Sequence, residues 1–244
     1  MQRILKIVGP VVIVVVLLVG AGLWWFFKGD ALDEVSLDTA AEQVADTSSS
    51  DAASAGEGDG ITGTWTVDTD TGEFDYESAT GSFVGFRIEE VLNSIGSTTA
   101  VGRTGDVAGT LTFGGTTVTV ATFDVDLTTI TTNESRRDDN VQEILETTEF
   151  PTALFALTEP IELGEAATTG EAVAVTATGE LTIHGVTQSV QIDLEAQLVA
   201  DTVVVVGSMD IAFADYGVEV PSSPAIVSVE DHGTLELQLL LTRQ

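Results

Sequence analysis

From residue 61 to residue 244 the dominant pattern is alternation of apolar and polar residues with a period of two, the signature of half-buried strands. The clearest run is Val190, Ile192, Leu194, Ala196 and Leu198, separated by Gln191, Asp193, Glu195 and Gln197. Val84, Phe86 and Ile88 form a second set, and Phe123, Val125 and Leu127 alternate with Asp124 and Asp126. Val173, Val175 and Ala177 lead through Gly179 to Leu181 and Ile183. Val203, Val205, Met209, Ile211 and Phe213 form another run, and Leu235, Leu237, Leu239 and Leu241 the last, with Leu240 left on the outer face. One wet face per strand predicts an antiparallel sheet. Several runs reach ten residues or more, and closing such long strands into a barrel covers the apolar face without leaving edges. About eight strands give an interior that is either filled by side chains or holds one small ligand. The expected fold is therefore an all-β antiparallel barrel.

One segment departs from this period. Residues 138–147 predict a single short helix, with Asp138 or Asp139 as cap and Val141, Ile144 and Leu145 at helical spacing. It reads equally as a plug or lid and as a structural crossover.

The N-terminus has a third pattern. Residues 7–27 carry no charge, and Trp24, Trp25, Phe26 and Phe27 close the run. As a helix these 21 residues span about 31 Å, the thickness of a bilayer core. Arg3 and Lys6 precede the run and acids dominate after it. The positive-inside rule then keeps the N-terminus cytoplasmic and the remainder extracytoplasmic. A cleaved signal peptide is the competing reading, but its apolar core is shorter and small residues occupy its cleavage site. Residues 1–28 are thus expected to be a single-pass membrane anchor. Residues 29–60 hold nine acids, no base, and a Ser- and Gly-rich tail, which predicts a disordered acidic linker; a short helix from Leu32 to Ala45 is the alternative, though it lacks a broad apolar face. The barrel domain would occupy 61–244.

Charge narrows the function classes. The formal net charge is −31, and beyond residue 28 five arginines face 39 acids with no lysine. A nucleic-acid binder needs a basic face, so that class is excluded. There is no cysteine, which excludes disulfides, thiolate metal sites and Cys nucleophiles. Schiff-base chemistry lacks its lysine beyond the anchor. Only His184 and His232 remain as imidazoles, too few for the usual three-nitrogen zinc site.

Candidate chemistry is sparse. His184, in Thr182-Ile183-His184-Gly185-Val186, reads as a turn residue bonding the backbone in preference to a general base. His232, between Asp231 and Gly233, reads as another turn residue, and Asp231-His232 makes a poor dyad, because neighbouring strand residues face opposite ways. Asp68-Thr69-Asp70-Thr71-Gly72 resembles a calcium loop without its later acidic ligands, and an ordinary turn is the simpler reading. Arg136-Arg137-Asp138-Asp139 offers two alternatives. The guanidiniums could meet an anionic head group such as phosphate, or pair with the adjacent acids and pin the helix.

Several segments together resemble the YceI-like family of lipid-binding proteins. They are Thr64-Trp65-Thr66-Val67-Asp68, Ser82-Phe83-Val84-Gly85-Phe86-Arg87, and Gly109-Thr110-Leu111-Thr112-Phe113. Thr131 to Asp138, Phe150-Pro151-Thr152-Ala153-Leu154-Phe155, Gly179 to Thr187, and Asp215-Tyr216-Gly217-Val218 follow in the same order. The resemblance implies an elongated lipocalin-like barrel with an interior tunnel for a polyisoprenoid chain, such as an isoprenoid quinone or polyprenyl lipid. No Gly-x-Ser-x-Gly elbow, phosphate loop or His-Glu-x-x-His motif appears, so a binding protein with no cofactor, not an enzyme, is expected; since relatives can pair, the resemblance leaves a homodimer open. Asn140 departs from the pattern, because relatives often carry histidine there.

Alternation then nominates Phe86, Phe123, Val125, Phe155, Ile183, Ile192, Leu194 and Phe213 as tunnel lining, with Arg136 and Arg137 as the candidate head-group contact. The same inward residues would also suit a solid core. In that case the chain would be an adhesion or interaction module whose acidic surface contacts wall or protein partners. A hydrolase or isomerase using His184 or an acidic pair is the remaining alternative.

Overall fold

The computed structural model describes residues 32–48, 61–77, 79–92, 96–219 and 226–244. The proposed anchor at 7–27 lies outside them, and among the described residues no helix is long and apolar enough to cross a membrane.

Thirteen strands form one antiparallel sheet among these residues. They are β1 (Gly63–Val67), β2 (Phe83–Leu92), β3 (Gly96–Thr104), β4 (Val107–Gly114), β5 (Thr117–Asp126), β6 (Thr131–Thr132) and β7 (Thr152–Leu157). The remainder are β8 (Ile161–Glu162), β9 (Val173–Ile183), β10 (Val186–Val199), β11 (Thr202–Ala212), β12 (Ile226–Val229) and β13 (His232–Arg243). The order β1-β4-β5-β7-β9-β10-β11-β13 closes when β13 pairs with β1, giving a barrel of eight strands. Closure occurs through one end of β13, where Leu241 and Arg243 pair with Val67 and Trp65. Its other half, Thr234 to Gln238, pairs instead with β2, from which β3 and β6 extend. Trp65 anchors the closure: its indole N–H donates to Ile61 O at 2.8 Å and its ring meets Phe113 edge-on.

The period-two expectation holds along β9 and β10. On β10 exposure alternates residue by residue up to Ala196, and Val125, Leu181, Val190, Val203 and Leu239, from β5, β9, β10, β11 and β13, belong to one apolar cluster. The β9–β10 hairpin turns on two residues, His184 and Gly185, both at positive φ (52° and 72°), as a tight primed turn requires.

Three expectations need correction. The stretch 29–60 is not a disordered linker throughout, because α1 (Leu37–Ser48) is a helix docked on the outside of the barrel. Leu37, Ala40 and Val44 pack on Val204, Val206 and Leu240. The folded body therefore starts before residue 61. The predicted helix begins three residues early, as α2 (Ser135–Ile144), with Glu134 as cap residue. Asp138 does not cap; its carboxylate accepts from the N–H and hydroxyl of Thr132 at 2.6 and 2.7 Å, tying α2 back to β6. Nor is there a single helix: besides α1 and α2, Ala166–Thr169 makes one turn, α3, ended by Gly170 at φ 75°. The ordinary-turn reading of residues 68–72, by contrast, agrees with the structure: Asp68 accepts from the N–H groups of Asp70 and Thr71 and from the Thr71 hydroxyl. The segment is thus an Asx-type turn, its lead carboxylate already engaged.

Candidate functional site: a lipid-sized cavity through the barrel

The barrel is not filled. Its interior is a cavity of about 1240 Å³, at or above the upper end for sites that hold drug-sized molecules. Along β9 it is lined by Val173, Val175, Ala177, Leu181 and Ile183. At about 3.3 Å per residue the lining therefore runs about 33 Å, most of the barrel's length. Phe86, Phe123, Val125, Phe155, Ile183, Ile192, Leu194 and Phe213 all stand on its wall, and so do Arg136 and Arg137. The filled-barrel premise of the interaction-module alternative is therefore corrected.

Glycines explain why these large side chains do not meet in the middle. Phe86 pairs across the sheet with Gly102, Phe123 with Gly109, and Leu194 with Gly207. A Cβ built on any of these glycines would come within 2.5 Å of the facing side chain. Phe155 lies over Gly179 in the same way, at 2.5 Å. Each bulky residue thus spreads over a bare patch of the neighbouring strand, and the axis stays open.

The two ends of the cavity differ. Near α3 its polar lining is Glu171 and Gln197, among Leu163, Ala167 and Leu198. At the α2 end stand Glu134, Arg136, Arg137, Asn140, Glu143, Glu146 and His184. The alternation Val84-Phe86-Ile88 continues to Glu90, which puts a carboxylate on the inward face and 93% out of water. Sequence reading stopped at Ile88 and missed it. Arg137 neutralises it, with Nη2 2.7 Å from Glu90 Oε1, and also donates to Asn133 Oδ1 at 2.6 Å. Arg137 is therefore committed to the wall, and neither arginine pairs with Asp138 or Asp139 among the contacts described. Arg136 is exposed and makes no hydrogen bond or ion pair among the described residues.

His184 ties three elements together at this end. Its Nδ1 lies 3.1 Å from Tyr216 O, and its Nε2 lies 3.1 Å from Glu146 Oε2 just beyond α2. Its ring meets Phe150 edge-on at 4.7 Å. The bond to a backbone carbonyl is the structural role expected of a turn histidine. Glu146 is itself at positive φ (47°).

His232 begins β13 on the open surface. The Asp231 carboxylate reaches its Nδ1 at 3.0 Å, because Asp231 precedes the strand and escapes alternation. That hydrogen bond raises the His232 pKa above the ordinary imidazole value and lowers that of Asp231. With Glu230 they bring three ligand-type atoms within 4.8 Å, all on exposed residues.

The YceI-like domain family matches residues 65–241, most of the chain. The protein belongs to the YceI-like family. The barrel is similar to that of a polyisoprenoid-binding domain from Saccharophagus degradans implicated in plant cell wall breakdown. That domain is 18% identical, with a TM-score of 0.56, and the match covers 75% of this chain and 99% of that one. Burkholderia cenocepacia BcnA is 17% identical with a TM-score of 0.52, covering 71% of this chain and 98% of its own. At these identities the likeness establishes the fold. No curated protein sequence matches the chain. This YceI-like barrel differs from an ordinary closed core in one respect that bears on function, the continuous apolar cavity.

Proposed function

We propose that the chain is a membrane-tethered binding protein, not an enzyme, that holds an isoprenoid or similar long-chain lipid inside its barrel. The observation that carries this reading is the cavity of about 1240 Å³ walled by Val, Leu, Ile and Phe side chains along β2, β5, β9, β10, β11 and β13. Such a wall offers an alkyl tail apolar contact along its whole length. Each buried CH₂ is worth about 0.8 kcal/mol, so one five-carbon isoprene unit contributes roughly 3–4 kcal/mol gross. Several units bind firmly without any catalytic group. The polyisoprenoid-binding domain of similar fold supports the same ligand class.

The 21 uncharged residues at 7–27, flanked by Arg3 and Lys6, support a single-pass anchor with the barrel on the extracytoplasmic side. A tether of that kind keeps the binder beside its lipid source. Mass spectrometry of organic extracts from the purified protein tests the reading. A recovered polyprenyl species is the expected result, and repeated absence of any long-chain lipid, with the fold intact, rejects it.

A further inference from the structure

A tethered lipid binder has to present one end of its cavity to the membrane, and the N-terminal segment bears on which end that is. Two largely buried arginines grip the chain just before α1. Arg87 donates to Leu32 O, and Arg103 donates to Asp33 O at 3.0 Å. Glu236, 2% exposed, accepts from both guanidiniums and fixes them in place. Further along, Leu37, Ala40 and Val44 of α1 pack on Val204, Val206 and Leu240.

The strand register locates the gripped chain. Arg87 pairs with Thr234, the third residue of β13, and Leu240 lies six residues further on. β13 starts at the α2 end of the barrel: His232 pairs with Ala212, and β11 then runs into the turn whose Tyr216 carbonyl meets His184. From Leu32 to α1 the chain therefore runs away from the α2 end. Phe74 stands exposed near the same grip, because Tyr76 of its loop donates to the carbonyl of Val101, the cross-strand partner of Arg87. An aromatic ring so placed suits a membrane interface.

The reach of the chain then separates the two ends. Residues 28–31 lie between Phe27, the last residue of the proposed anchor, and Leu32. Five Cα steps span at most about 18 Å in any conformation. From Arg87 to Leu92, the end of β2, is five residues, about 13 Å along the axis of a barrel whose strands tilt by about 40°. From Thr234 to Arg243, the other end of β13, is nine residues, about 23 Å on the same measure. An upright barrel can thus rest its α2 end on the bilayer, but the tether is too short for its α3 end to do so. Without the grip, residues 28–60 would span about 110 Å at full extension, and either end could reach.

We propose, resting on the lipid-binding reading and its anchor, that the docked N-terminal segment is a short strap that holds the α2 end of the cavity against the bilayer. Lipid then passes between membrane and barrel at that end without crossing open water. The partner surface is the bilayer that carries the anchor.

The chain has no cysteine, so a single introduced one labels it at a chosen place. The full chain, carrying a dye after Asp139→Cys on α2 or Thr168→Cys on α3, is placed in phosphatidylcholine vesicles that contain an acceptor-labelled lipid. Energy transfer to the bilayer should be greater from position 139 than from position 168. A Gly-Ser insertion of about twelve residues between Ala31 and Leu32 adds about 40 Å of reach and leaves the grip and α1 in place. It should leave Tm unchanged, lower the transfer from position 139 to that from position 168, and slow uptake of a fluorescent isoprenoid from the vesicles severalfold. Equal transfer from the two positions in the parent, or transfer and uptake unmoved by the insertion, overturns the strap while lipid binding stands. A full chain that does not float with the vesicles overturns the strap together with the anchor. Isoprenoid uptake absent even from the detergent-solubilised chain removes the lipid-binding reading and with it the proposed passage of lipid.

Discussion

The Phe123 ring occupies the space that a side chain on Gly109 would need: a Cβ built there would approach Phe123 Cδ1 to 2.3 Å. The two residues are direct cross-strand partners on β4 and β5. Their relation links a local packing choice to the function, since a ring lying over glycine leaves the barrel axis free. Gly109→Val should therefore drive Phe123 off the wall. Overpacking of this kind costs about 1–3 kcal/mol, and the displaced ring should also narrow the cavity. Urea unfolding and lipid occupancy should fall together in this variant. Full occupancy in Gly109→Val would show that the glycine does not set the position of the ring.

Ile192 offers a gentler way to close the channel. It is buried in the middle of β10, lines the cavity and pairs with Ala177 on β9. Ile192→Trp adds volume where the wall faces empty space, so the strain of filling a packed core is largely avoided. Most of the co-purifying lipid should disappear, while the thermal midpoint should stay within a few degrees of the parent. Unchanged lipid content in a stably folded Ile192→Trp would place the tail elsewhere.

The surface pair at the start of β13 makes a prediction in pH. The Asp231 hydrogen bond raises the folded-state pKa of His232, with Glu230 and Asp210 adding their charges. A raised imidazole pKa stabilises the fold at pH below the unfolded value, near 6.5, and that contribution is lost as pH rises through the folded value. Both groups are exposed, so the effect on stability should be slight and should fade in high salt. Proton NMR should show His232 titrating above the ordinary range, and Asp231→Asn should bring it back. Titration unchanged by Asp231→Asn would reassign the shift to the remaining acids.

Much of the barrel was legible because alternation reports one buried face per strand, and β9 and β10 obey it. What stayed hidden depended on contacts between distant segments. Alternation put Glu236 on the wet face of β13, yet it is 2% exposed, because residues 32–48 lie over that face. The clue was in the exceptions: Val203-Val204-Val205-Val206 and Leu239-Leu240-Leu241 are apolar on both faces, as in strands covered on both sides. Those runs needed a cover, and α1 with its small amphipathic face supplies it. The lining residues were placed by parity alone. Whether they enclosed space or filled it depended on the cross-strand glycines, whose partners only the register reveals.

The buried cluster beneath the N-terminal segment gives the largest expected effect. Glu236 accepts from Arg87 Nε at 2.9 Å and from Arg103 Nε at 2.9 Å. The same guanidiniums reach outward to the chain that covers them, Arg87 to Leu32 O and Arg103 to Asp33 O at 3.0 Å. Arg103 also lies 4.5 Å from the centre of the Phe83 ring. One carboxylate thus orients two cations that clamp residues 32 and 33 just before α1. Removing one member of a buried ion group leaves uncompensated charge and costs about 3–5 kcal/mol. Glu236→Gln keeps the shape and removes the charge, so a loss near the lower bound is expected in denaturant unfolding. Because the clamp holds the N-terminal segment, that segment should also become protease-sensitive at denaturant concentrations where the barrel remains folded. Leu37→Ala removes a buried contact of α1 with no change in charge and should loosen the same segment, at about 2–3 kcal/mol. If Glu236→Gln unfolds as the parent does and residues 32–48 stay protected, the two arginines hold the segment without their counter-ion and the clamp is not electrostatic.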